Sequence, residues 1–150
     1  MLYHLNLVLT AVLAGMMLSY VLVLGNFFSY LVRRERYDFF QHVYGAFRKN
    51  TKVSFYYSVI MLAQTFLALL SFLLNMRNHA LLPQLVAIVI FPILIIIHKL
   101  TGYLPLEEKL NSGHALDDKE RRIYLRYNLW LHFIYFLLYG GAAFLLAYVR

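Results

Sequence analysis

Residues 78–98 read NHALLPQLVAIVIFPILIIIH, a stretch without a single Asp, Glu, Lys or Arg. A helix of this length rises about 30 Å, the thickness of the hydrocarbon core of a bilayer. Three more stretches are equally free of formal charge: 1–32, 53–76 and 127–149. The sequence therefore predicts four spans, at about 5–31, 53–76, 80–98 and 128–148. Helices in the core of a soluble protein rarely run so far without a charge. A chain of 150 residues that is 62% hydrophobic and 14% charged is also too apolar for a soluble domain of its size. The expected fold is all-α: a single polytopic membrane domain over 1–150, a four-transmembrane-helix bundle with helical extensions. The first run has no basic leader and no small-residue cleavage site, so it is read as a retained helix rather than a signal peptide.

The basic residues set the expected orientation. Arg33, Arg34, Arg36, Arg48, Lys49 and Lys52 lie between the first two runs, and Lys99, Lys109, Lys119, Arg121, Arg122 and Arg126 between the last two. Only Arg77 and Arg150 fall on the other side. Both long connections should face the cytoplasm and both termini the outside, with a bacterial inner membrane as the expected setting. The net charge of +7 punctuates apolar runs instead of forming a polar surface, so anionic lipid head groups, not nucleic acid, are its expected partner. In the first connection, RYDFFQHVYGAFRKN (36–50) repeats Phe39, Phe40, Val43, Tyr44 and Phe47 at helical spacing, as an interfacial helix requires. In the second, Asp117 and Asp118 mark a helix start that continues into the fourth span. Between them, GYLPLEEKLNSGHAL (102–116) carries the Gly, Pro, Asn and Ser of a loop.

Lipid cannot satisfy an amide or an imidazole, so polar side chains within the spans should face the bundle interior. One stripe is expected per helix: Ala11, Gly15, Ser19, Asn26 and Ser29; Gln64, Ala68, Ser71 and Asn75; Gln84, Ala87, Phe91 and His98; Asn128, His132, Tyr135 and Tyr139. The small residues Ala11, Gly15 and Ser19, and likewise Ala143 and Ala147, suit close helix contact, and Pro92 should kink the third span. Asn26, His98, Asn128 and His132 share a depth near the inner boundary and form the candidate cofactor-binding site. Two histidines on neighbouring helices are the residue type for a haem iron or for relaying a proton to a quinone-like substrate. The bland alternative is a pair of interfacial histidines bonded to backbone, tyrosine or lipid phosphate. The absence of cysteine excludes disulfides and thiolate metal sites, and there is no phosphate-binding glycine loop, nucleophile triad or zinc motif.

Ala14-Gly15, FFQHVY (39–44), PLEEKLN (105–111) and YNLWLHF (127–133) together resemble the small four-helix membrane family that includes the anthrone oxygenases. That resemblance implies a four-helix membrane fold and oxygenase chemistry on aromatic substrates. His4 in the first span and His98 closing the third also resemble the haem-binding bacterial protoporphyrinogen oxidase, which implies haem as a cofactor. Beside a lipid-handling or transport component, two functions are expected from these features. One is a non-catalytic subunit or assembly partner of a larger membrane complex, working with other membrane subunits or as a homo-oligomer. The other is a haem- or quinone-linked redox enzyme that uses the inner-leaflet histidines.

Overall fold

A computed structural model describes residues 1–75 and 81–148. The described residues form six helices and no strand: α1 (Leu2–Arg33), α2 (residues 37–51), α3 (Val53–Asn75), α4 (Leu81–Leu100), α5 (Tyr103–Asn111) and α6 (Asp118–Tyr148). Four of them, α1, α3, α4 and α6, are long and apolar enough to cross a membrane. These pack in the cyclic order α1–α3–α4–α6, so each helix contacts two neighbours. The chain is an all-α polytopic membrane bundle. The expected span ends at 76 and 80, with Arg77, His79 and Arg150, lie outside the described residues.

Polarity is inverted relative to a soluble protein, as expected where lipid is the solvent. Asn6, Thr10, Gln64, Ser71, Gln84 and Asn128 are fully buried, while Leu22, Phe66, Leu74, Leu82 and Phe144 are more than half exposed. The buried amides find partners across helices, with Asn6 Nδ2 and Gln64 Oε1 left unpaired. Gln64 Nε2 donates to Thr10 Oγ1 at 3.2 Å and to the Ala87 carbonyl at 3.3 Å, and Ser71 Oγ donates to Gln84 Oε1 at 2.9 Å. These bonds fix the rotation of α1, α3 and α4 about their axes. α4 continues as helix through Pro92.

The inward face of α1 differs from the expected one. Tyr3, Asn6, Thr10, Leu13, Ala14 and Met17 are buried, whereas Ala11, Gly15 and Ser19 are exposed. A Cβ added at Gly15 would meet nothing within 4 Å. Smallness permits contact but does not demand it; the hydrogen-bonding demand of Asn6 and Thr10 decides which side turns in. Ala147 is also exposed. α1 contains one wide π turn at Tyr20–Leu24, and α2 another at Phe40–Tyr44.

One end of the bundle is capped by α2 and α5. The expected loop at 102–116 is instead largely helical, as α5. Pro105 sits in its first turn, where a missing N–H costs nothing, and Tyr103, Leu106 and Leu110 repeat at helical spacing and are buried. The chain leaves α5 through Gly113 at φ +80°, where a Cβ would lie 2.9 Å from the Gln41 Cα of α2. α6 starts where expected, in a reciprocal cap: Asp117 Oδ1 accepts from Glu120 N, and Glu120 Oε2 accepts from Asp117 N, both at 2.8 Å. Lys109 reaches the same Glu120 carboxylate at 2.6 Å, and Arg121 pairs with Glu35 and Asp118, so α5 and the α1–α2 turn are both tied to the start of α6.

Candidate functional site

Near the capped end, aromatic side chains from α1, α5 and α6 surround two imidazoles, one from α4 and one from α6. His98 lies in the last turns of α4 and His132 in the middle of α6, with ring centroids 6.4 Å apart. Tyr20, the first residue of the π turn, lies flat on His132 at 3.8 Å and 18°. Tyr103 stacks on His98 at 5.3 Å, and Tyr135 stands 5.2 Å from His98 and 5.5 Å from His132.

Asn128, one turn before His132, organises this layer. Its Oδ1 accepts from Tyr20 Oη at 2.9 Å and Tyr103 Oη at 2.7 Å, and its Nδ2 donates to the Gly25 carbonyl at 3.0 Å and Ser29 Oγ at 2.9 Å. Two accepted and two donated bonds fill the capacity of an amide. Asn128 therefore shapes the site and has nothing left for a ligand. Asn26 does not join it: the residue is exposed, and its Nδ2 donates at 2.7 Å to the Val21 carbonyl inside its own π turn. Placing Asn26 on the inward stripe is thus corrected. A wide turn inserts a residue and disturbs the backbone ladder, and the Asn26 amide covers a carbonyl there.

The two histidines remain, with a tyrosine that the charge and depth pattern did not single out. His132 Nδ1 lies 2.7 Å from the Asn128 carbonyl. A carbonyl only accepts, so Nδ1 carries the proton of the neutral ring and Nε2 keeps its lone pair. His98 Nε2 and the Tyr135 and Tyr139 hydroxyls are buried without a hydrogen-bond partner. Buried polar groups are nearly always paired, so His98 Nε2 and Tyr135 Oη, on rings 5.2 Å apart, call for an account. Tyr135 and Tyr139 both lie on the stripe of α6 that the sequence turns inward with His132, although depth and charge did not mark them as site residues.

The layer can hold, donate or accept a proton at several atoms. It does not fit a haem between the two histidines, because Tyr103 and Tyr135 each lie within 6.3 Å of both imidazoles, where the macrocycle would have to stand. No group of three or more His, Asp or Glu among the described residues is placed to hold a metal ion. On the outer surface of α1 and α6, next to Tyr20 and Asn128, Val21, Leu129, Trp130 and Phe133 line an open apolar recess of about 210 Å³. No family model matches this chain, and no curated protein and no solved structure matches it either.

Proposed function

We propose that this protein takes the polar edge of a lipid-soluble ring, of quinone or phenol type, at the half-exposed side of His98 and exchanges a proton with the His98–His132 pair. The observation that carries this reading is the buried, unpartnered pair His98 Nε2 and Tyr135 Oη beside the lone pair of His132 Nε2. A ring oxygen brought to this layer accepts a hydrogen bond from Tyr135, and a ring hydroxyl gives its proton to an imidazole nitrogen. Ionisable side chains at membrane depth are costly, which favours a working role over an ornamental one. The positive-inside bias of the sequence supports a place for the layer in the cytoplasmic leaflet of a bacterial inner membrane.

Trp130 is the one tryptophan of the chain and stands two residues from His132, in the apolar recess. A short-chain benzoquinone titrated into the protein in nanodiscs should quench its fluorescence saturably. His98→Gln and His132→Gln should each weaken that binding by about tenfold, the loss of one good hydrogen bond to a charged or buried group. His42→Gln and His114→Gln, both exposed, should leave it unchanged. Quenching that rises linearly with quinone, or that ignores the two imidazoles, would falsify the reading.

A different observation supports the subunit reading. The Ala11, Gly15 and Ser19 stripe is turned out of the bundle, where it offers close approach to a helix of a second chain. Gly15→Leu should then remove a co-purifying subunit while the melting temperature of the isolated chain stays put; retention of the partner would sink it.

A further inference from the structure

The side of α6 turned away from the bundle changes character along its length. Arg122, Arg126, Trp130, Phe133 and Leu137 are all exposed, and steps of three or four residues keep them in one line along the helix. The line begins with two arginines at the capped end and continues with apolar side chains only. Trp130 and Phe133, with Leu129 and with Val21 of α1, wall the open recess of about 210 Å³, and none of the four offers a charge. An apolar wall of this kind accepts any hydrocarbon chain, so the two arginines above it decide which one it takes.

Arg126 stands one helical turn from Trp130 toward the capped end and Arg122 one turn further, which sets their backbones about 6 and 12 Å above the level of the indole. Charge over hydrocarbon at this spacing matches a phospholipid in one leaflet, its phosphate at the interface and its chains beneath. Other arginines of this end are already matched: Arg121 pairs with Glu35 and Asp118, and Arg36 with Asp38. Among the described residues, no carboxylate pairs with Arg122 or Arg126. The Arg126 guanidinium lies over the Tyr127 ring at 5.5 Å, which holds it by its face and leaves its N–H edges for the oxygens of a phosphate.

We infer that the α1–α6 recess and the Arg122–Arg126 pair form a binding site for one anionic phospholipid. The two guanidinium groups hold its phosphate, and one acyl chain lies against Val21, Leu129, Trp130 and Phe133. A zwitterionic lipid offers the same phosphate and chains but brings an ammonium group that the arginines repel. The site is distinct from the diffuse attraction between twelve basic residues and a negative leaflet, because it needs two particular charges in line with one recess. It does not rest on the ring-ligand reading, which uses the buried side of α6.

Trp130 reports on the recess directly. The full chain is placed in phosphatidylcholine nanodiscs that carry a minor fraction of a lipid with brominated chains, which quench indole on contact. In one set that lipid is phosphatidylglycerol, in the other phosphatidylcholine. Brominated phosphatidylglycerol should reach Trp130 with about a 30-fold preference, the scale of two basic groups acting at a membrane surface. Arg122→Gln and Arg126→Gln should each lower that preference about fivefold, and the double variant should erase it. Lys49→Gln with Lys52→Gln removes as much charge from the end of α2 and should leave the preference intact. All four side chains are exposed, so none of these changes threatens the fold. Equal quenching by the two lipids, a preference that survives the loss of both arginines, or one that falls as far with the two lysines would each overturn the site.

Discussion

Asn128 and Gly25 show how single residues set the candidate site. The Asn128 amide gathers Tyr20, Tyr103, Ser29 and the Gly25 carbonyl around itself, and a Cβ on Gly25 would lie 2.7 Å from the Tyr20 ring and 2.8 Å from Leu129 Cδ2. Tyr20 can stack on His132 because residue 25 has no side chain. Gly25→Ala should therefore destabilise the protein by about 1–3 kcal/mol through overpacking, despite the better helix propensity of alanine. Gly15→Ala, in the same helix and meeting nothing, should instead stabilise it by about 0.5–1 kcal/mol. Thermal unfolding of both variants in detergent checks the pair, and equal effects would mean that Gly25 is not a packing position. At this scale the sequence disclosed the His98 and His132 pair and the α6 stripe, because a polar atom in lipid has only one direction to turn. It could not disclose the self-contained roles of Asn26 and Asn128, which depend on a π turn and on partners about a hundred residues away.

At the scale of elements, each long helix was legible from the absence of charge, and the start of α6 from its two aspartates. Rotation about the helix axis was legible on α3 and α4, where Gln64 and Gln84 turn inward. It failed on α1, where small residues were read as the contact face and the more demanding Asn6 and Thr10 were passed over. α5 was hidden by its own composition. A Gly, a Pro, an Asn and a Ser within 102–116 read as a loop, yet the Pro falls in a first turn and the Gly, Asn and Ser fall at helix ends. Such residues punctuate a short helix as readily as they fill a turn. The error matters because α5 carries Tyr103, which stacks on His98. A loop there would not have brought it to the site.

At the scale of the whole molecule, the bundle has two unlike ends. α2 and α5 cover one, together with the twelve basic residues of the two long connections, and the N-terminus and the end of α6 mark the other. Which end faces the cytoplasm determines the leaflet in which His98 and His132 lie. Basic side chains resist translocation and are drawn to anionic head groups by about 1 kcal/mol each, so twelve against two is a large imbalance. The chain has no cysteine, which makes any introduced thiol a unique address. Asn50→Cys at the end of α2 and Ser112→Cys after α5 are both at exposed positions of the capped end, and His4→Cys is exposed near the opposite one. In intact cells, an impermeant thiol reagent should label only His4→Cys; after permeabilisation, all three should react. Labelling of Asn50→Cys and Ser112→Cys from outside would turn the molecule over. The His98–His132 layer, which lies near the capped end, would then belong to the outer leaflet.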